Sequence, residues 1–204
     1  MISECAHVSS SRLYEILCSL RDLQYIRLFS SGSGLYCGPL DRVRLALYAL
    51  RNGVDVNRIS LALSWKEFEK ICSLFLSSFD YVIYRNFRFK FDGRRYELDV
   101  IGVRKPFLVC VDCKRWSAYR SSVLKLHSIK HFNRVKALAS LDFYSEFGLS
   151  NWNEAVFIPV MVTIFEDLGG SYAGIPIVSI LKFNSFVDEL FLGVDSIRKI
   201  VVKL

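Results

Sequence analysis

No apolar run in this chain reaches the ~18 residues that a membrane-crossing helix needs, so no membrane association is expected. The N-terminus lacks the basic start and long apolar core of a secretory leader, and the expected location is the cytoplasm. The six cysteines show no zinc-binding pattern. Cys110 and Cys113 have the right spacing, but on a strand they face opposite sides. Disorder is excluded by the 52% hydrophobic and 14% aromatic content. The 204 residues suffice for one sizeable core or two small ones.

What the chain does have is charge, unevenly placed. The net charge is +7, and from Arg85 to Lys136 fourteen Lys and Arg face four Asp and Glu. From Ala137 to Leu204 the balance reverses, four against eight. Three of the four acids inside the basic segment are Glu97, Asp99 and Asp112. An acidic cluster set in a basic field suits a metal site that handles a polyanion.

The pattern predicts a helix over Val8–Asp22, with Leu13, Ile16, Leu17 and Leu20 on one face. A hairpin follows, Tyr25–Phe29 and Leu35–Cys37 around a Ser/Gly tip. Pro39 then suits the first turn of a helix running from Leu40 to Arg51 and ended by Asn52-Gly53. A short helix over Val56–Leu63 completes this region. Residues 1–62 thus read as a winged-helix-like or dimerisation region, with seven basic and five acidic residues giving little preference.

Residues 63–204 read as a separate α/β domain. Ser64 and Glu67 form a capping-box pattern ahead of a helix whose apolar face is Trp65, Phe68, Cys72, Phe75, Leu76 and Phe79. Glu69 lies beside that face and Glu67 nearly opposite. Tyr81–Phe91 and Arg95–Val103 alternate around Asp92-Gly93, an antiparallel hairpin. Strict alternation would put Glu97, Asp99 and Ile101 on one face and Tyr96, Leu98 and Val100 on the other. After Arg104-Lys105-Pro106, Phe107–Lys114 reads as a central strand. It carries Asp112 and Lys114 on one face, with Val109, Val111 and Cys113 on the other. Two carboxylates and an ammonium at the ends of paired strands can hold a divalent cation and activate a water.

Tyr119–Leu141 reads as the longest helix, with a buried stripe of Leu124, Ile129, Phe132, Val135 and Ala139. Beside it His127, Lys130, His131 and Arg134 form a polar stripe, extended by Arg120, that suits phosphate contact. Strands over Ala155–Phe165 and Ile175–Ile180 flank a loop at Glu166–Gly174. A helix over Phe183–Phe191 and a strand or tail over Ile197–Leu204 end the chain; that tail suits an edge that pairs with a second copy.

The order of helix with Phe68-Glu69, hairpin with Asp99, Asp112-Cys113-Lys114 and then a long basic helix resembles the PD-(D/E)xK nuclease superfamily, in its archaeal and Mrr-like branches. The resemblance runs from about Ser64 to the C-terminus. It implies a restriction-endonuclease-like mixed sheet flanked by helices and a metal-dependent endonuclease acting on DNA, or alternatively on RNA. A third implied reading is a non-catalytic nucleic-acid-binding or assembly subunit of the same fold. By the resemblance, Glu69, Asp99, Asp112 and the main-chain carbonyl of Cys113 would hold Mg²⁺ or Mn²⁺. Lys114 would position the attacking water. Arg94, Arg95, Arg104, Lys105, Arg115, Arg120, His127, Lys130, His131 and Arg134 would hold the phosphate backbone, and the enzyme would act as a homodimer. The long helix lacks the Gln common in such relatives, so His127 or His131 is expected in its place.

Overall fold

The computed structural model describes residues 8–32, 34–55, 58–59, 62–114, 121–142, 145–163 and 170–204. The chain divides into two compact units, Met1–Leu63 and Ser64–Leu204. No helix among the described residues is long and apolar enough to cross a membrane.

In the first unit, Ser9 caps α1 (Ser10–Asp22) by accepting from the Arg12 amide. The expected apolar stripe of α1 is not buried; Ile16 is 41% exposed. β1 (Ile26–Ser31) and β2 (Gly34–Pro39) pair antiparallel, with Gly32 in the left-handed region at the tip. Pro39 closes this ladder opposite Ile26 and does not open a helix. The Leu40 amide donates to the Tyr25 carbonyl and extends the hairpin one step. The cap falls instead on Asp41, whose Oδ1 accepts from the amides of Val43 and Arg44 at 2.8 and 3.1 Å. That starts α2 (Arg42–Arg51) two residues later than expected, because a carboxylate satisfies orphan amides that Pro39 has no side-chain acceptor to meet. The helix expected over residues 56–63 lies partly outside the described residues.

The second unit opens with α3 (Trp65–Ser77), whose capping box is complete: the Ser64 amide donates to Glu67 Oε2 at 2.7 Å and the Glu67 amide to Ser64 Oγ at 3.3 Å. The helix buries Phe68, Ile71, Cys72 and Leu76, each large apolar side chain contributing about 1.5–3 kcal/mol. Next come β3 (Val82–Phe91), β4 (Arg94–Arg104), β5 (Phe107–Lys114) and α4 (Ser121–Ala139). They are followed by β6 (Glu154–Thr163), β7 (Gly170–Tyr172), β8 (Ile175–Ser179), α5 (Ile180–Gly193) and β9 (Ile200–Lys203).

The strand order is β3-β4-β5-β6-β8-β7, with β9 also on β6. β3 with β4 and β4 with β5 pair antiparallel, whereas β5 with β6 and β6 with β8 pair in parallel. This is a mixed sheet flanked by helices. On one face, Val135 and Leu138 of α4 join Leu98, Ile101, Leu108 and Cys110 in a single apolar cluster. On the other, Cys72 Sγ of α3 lies 3.6 Å from Cys113 Sγ.

Two expectations differ here. Leu98 and Ile101 share a face, so β4 does not alternate through Asp99. On β3, Tyr84 likewise joins Phe87 against Phe147, at ring separations of 4.9 and 5.1 Å. The cause is Asn86 at φ +51°, between the Arg85↔Val100 and Phe87↔Leu98 pairs. Asn tolerates the left-handed region, and one such residue resets the pleat on both strands. Part of the loop expected at 166–174 is strand β7. The terminal segment, expected as a strand or tail, is a strand: β9 pairs antiparallel with β6, from Glu154↔Lys203 to Phe157↔Ile200.

Gly102 lies where α3 crosses β4. A Cβ there would approach Leu76 Cδ1 and Tyr81 Cδ1 to 3.1 Å, and both side chains are buried. Gly102→Val is expected to cost about 1–3 kcal/mol, seen as a lower urea midpoint at unchanged slope. An unchanged midpoint would contradict this close packing.

Candidate active site

β4 and β5 pair from Arg104↔Phe107 as far as Val100↔Val111 and then part. β3 stays with β4 to Phe91↔Arg94, and β5 stays with β6 to Lys114↔Thr163. The sheet therefore forks, and the first unpaired positions on the two arms are Asp99 and Asp112. A strand that loses its neighbour leaves amides to satisfy. Asp99 does this with its side chain: Oδ2 accepts from the Cys113 amide at 2.7 Å.

Asp112 is 1% exposed. Its Oδ1 accepts from Lys114 Nζ at 3.0 Å and from Arg134 Nη2 at 2.8 Å, and its Oδ2 lies 2.9 Å from Lys114 Nζ. The Lys114 ammonium also sits over the Trp65 ring, 5.6 Å from its centroid. From α3 comes Glu69, buried, with Oε2 making no hydrogen bond among the described residues. From α4 comes His131, wholly buried, with Nε2 2.8 Å from the Cys110 carbonyl. A carbonyl only accepts, so Nε2 carries the proton and Nδ1 is left as an unpartnered acceptor.

The charges divide by environment. Burial, and then the charge of Asp112, raise Asp99 from 3.8 to about 6. Burial also raises Glu69, against the pull of Trp65 and Arg85. Asp112 is more deeply buried, yet it is lowered, because His131 when protonated, Lys114 and Arg134 outweigh its desolvation. Burial pushes His131 itself down to about 4. At neutral pH it carries no charge, and Lys114 and Arg134 hold the Asp112 anion.

Of the residues singled out in the sequence, Asp99, Asp112 and Lys114 meet at the fork, and Glu69 is near enough for its charge to raise Asp99 further. Lys130 is exposed, and half-buried His127 is lowered by burial and by the Lys114 charge. His131 and Arg134 do not lie on an open phosphate-facing stripe. His131 is enclosed, and Arg134 turns its guanidinium onto Asp112. The buried line of α4 runs through Leu124, Ser128, His131, Val135 and Leu138, while Ile129 is 38% exposed. Arg104 and Lys105 stand at the far end of β4, about 17 Å from Asp99 at ~3.4 Å per residue. Arg104 lies over the Tyr81 and Phe191 rings, and Lys105 donates to the Asn151 carbonyl. Arg94 and Arg95 are exposed at the hairpin tip. Arg115 and Arg120 lie outside the described residues. The sequence reading missed Arg134 as the partner of Asp112. Its position one residue before buried Val135 was the available signal.

No three His, Cys, Asp or Glu side chains among the described residues form a ready metal cage. The donor chemistry nevertheless fits a hard divalent cation. Glu69 offers an orphaned buried oxygen, and a cation would relieve the Asp99 anion of burial and of its neighbour's charge. Asp112 would join such a site as Lys114 and Arg134 shift their hold.

Asp99 binds its proton more tightly in the folded chain than in the unfolded one. Its contribution to stability is therefore full below 3.8 and lost as pH rises through about 6. Asp112 acts oppositely, supporting the fold above its unfolded value and ceasing to as pH falls. Asp99→Asn keeps an oxygen for the Cys113 amide without the charge. It should raise stability at pH 7.5 by on the order of 2 kcal/mol and flatten the decline between pH 4 and 6.5 in a series of thermal melts. An unaltered pH profile would contradict this assignment.

No family model matches the chain. It is similar to an uncharacterized protein of Archaeoglobus fulgidus, 29% identical over 128 residues that span 62% of this chain and 91% of the relative. Among solved structures it is similar to AF1548, a protein of unknown function, with a TM-score of 0.35 and 13% identity over 55% of this chain and 57% of that one. It is also similar to VC1899 from Vibrio cholerae, with a TM-score of 0.34 and 14% identity over 90% of this chain and 43% of that one. The chain thus spans about half the length of these two structural neighbours.

Proposed function

We propose that the Ser64–Leu204 unit is a metal-dependent endonuclease of PD-(D/E)xK type that hydrolyses DNA phosphodiester bonds in the cytoplasm. The observation that carries this reading is the fork itself: Asp99 and Asp112 flank the point where β4 and β5 part, with Lys114 on Asp112 and buried Glu69 on the facing helix. Glu69, Asp99, Asp112 and the Cys113 carbonyl would hold Mg²⁺ or Mn²⁺. That ion would supply Lewis-acid stabilisation of charge at phosphorus and make hydroxide available near neutral pH.

The chain's own residues have distinct tasks. Among the described residues, Lys114 brings an ammonium with some solvent access to the fork, its side chain 16% exposed. It orients the attacking water and stabilises the charge that develops on the phosphoryl oxygens. Trp65, beneath the ammonium, limits where it can swing. Arg134 keeps Asp112 ionised while the site is empty of substrate. Asp99 holds the Cys113 amide, which fixes the direction of the Cys113 carbonyl. Met1–Leu63 would serve as a DNA- or partner-binding appendage, winged-helix-like in its helix and hairpin, and pairing of two copies would bring two sites to the two strands.

One observation favours a second reading, a nucleic-acid-binding subunit without catalysis: both Asp112 oxygens already lie against Lys114 or Arg134. The deciding experiment incubates labelled duplex, single-stranded and branched DNA, and RNA, with the full chain and with its Lys114→Ala form, in Mg²⁺, Mn²⁺ or chelator. The expected result is metal-dependent DNA cleavage that falls at least about 10³-fold in Lys114→Ala, with binding retained. Binding without cleavage on every substrate would favour the second reading, and RNA cleavage alone would replace DNA as the substrate.

A further inference from the structure

Past the fork, β3 and β4 continue as a two-stranded ribbon, with no third strand beside it among the described residues, from Phe87↔Leu98 to Phe91↔Arg94. Its two faces differ sharply. Phe87, Phe89 and Tyr96 belong to the side that packs with the α4 cluster, and Phe89 and Tyr96 stack at 5.4 Å. Because Asn86 resets the pleat, Arg85, Arg88 and Lys90 all fall on the opposite side. So do Glu97 and Arg95, the cross-strand partners of Arg88 and Lys90. All four cations are exposed. Glu97 is the single acid among them and is paired with Arg88 at 2.9 Å. Lys90 and Arg95 make no ion pair among the described residues.

A hollow of about 750 Å³ along the ribbon is lined from both faces, by Arg88, Lys90, Arg95 and Glu97 of the charged one and by Phe89 and Tyr96 of the other. It adjoins the fork through Glu97, two residues before Asp99; the Glu97 carbonyl accepts from Arg134 Nη1 at 3.4 Å while Nη2 of the same guanidinium holds Asp112. At the other end of the row, Arg85 donates to the Lys66 carbonyl of α3.

We infer that this ribbon face is a docking surface for the phosphate backbone of duplex DNA, leading the duplex to the fork. The inference rests on the nuclease reading only for where the duplex leads; the docking itself stands without it. Four like charges held at close quarters with a single acid among them call for a polyanion. A strand places Arg88 and Lys90 about 6.8 Å apart, close enough for both to meet phosphates of one DNA strand. A two-stranded ribbon also matches the width of the major groove of B-DNA. Single strands are bound through exposed rings on which bases stack. Here the rings of Phe87 and Phe89 are turned to the other side, and the face toward the ligand is charged. Duplex RNA hides its major groove from such a ribbon. None of Arg85, Arg88 or Lys90 was singled out by the sequence, because strict alternation scattered them over both faces.

The test is fluorescence anisotropy with the full chain in chelator, so that no cleavage occurs, on a 20-base-pair duplex, its single strand and the matching RNA duplex across a salt series. Arg88→Ala with Lys90→Ala is expected to weaken duplex DNA binding about tenfold or more near 0.15 M salt. It should also reduce the slope of log affinity against log salt by roughly two. Lys182→Ala, an exposed charge on α5, should change neither by more than about twofold, and circular dichroism melts verify that both variants fold. An unchanged slope and affinity in the double variant would overturn the docking surface, as would tighter binding of the single strand or of RNA. Absence of cleavage by the unsubstituted chain in Mg²⁺ or Mn²⁺, with the slope change intact, would remove the nuclease reading and leave the docking surface standing.

Discussion

The second unit depends on where one ladder stops. β4 and β5 could continue to pair past Val100↔Val111, and if they did, Asp99 and Asp112 would be two ordinary ladder residues. Their separation frees the Cys113 amide, which Asp99 takes. It also opens a gap that helices on opposite faces then line, α3 with Glu69 and Trp65, α4 with His131 and Arg134. A fork in a sheet is costly in unmade hydrogen bonds. Here one is replaced by a carboxylate that must itself be partly desolvated, which raises Asp99 to about 6.

Burial and charge are set against each other throughout this gap. Three carboxyl groups occupy it with two permanent cations, Lys114 and Arg134, and a histidine that burial keeps neutral at pH 7. The cations are both spent on Asp112, which is why that residue alone is lowered while Asp99 and Glu69 are raised. An uncompensated buried carboxyl either takes a proton or draws in a cation. Asp99 and Glu69 follow the first course, each holding its proton to higher pH than a free carboxyl would.

Much of this architecture was legible from local chemistry. The Ser64–Glu67 capping box fixes the start of α3, the Asp92-Gly93 turn fixes the hairpin, and the continuous apolar run of β5 marks a strand buried on both sides. These depend on neighbours in the sequence, so a sequence suffices. The meeting of Asp99, Asp112 and Lys114, with Glu69 nearby, was legible for the same reason, as residue order in a helix–hairpin–strand series. What escaped depends on distant partners or on one backbone angle. Asn86 at φ +51° reassigns the faces of two strands, and nothing in its neighbours announces it. β7 exists only because β8 offers it an edge. Ile129 looked like core by hydropathy, but the sheet prefers the line through Ser128 and His131, since Cys110 presents a carbonyl for the imidazole. Pro39 was read by its helix-starting habit, and the hairpin ladder claimed it first.

Arg134 touches both arms of the fork, the Glu97 carbonyl on one and the Asp112 carboxylate on the other. The width of the opening is therefore set by two side chains, Arg134 and Asp99, which holds the Cys113 amide of the other arm, and not by continuous main-chain pairing. A guanidinium is planar and rigid at its head but hinged along its stem, so it behaves as a strut of fixed head and adjustable length. The aperture can be retuned by changing one residue on a helix while every strand pairing stays as it is. This gives the scaffold a route to altered clearance at the fork that leaves its folding intact.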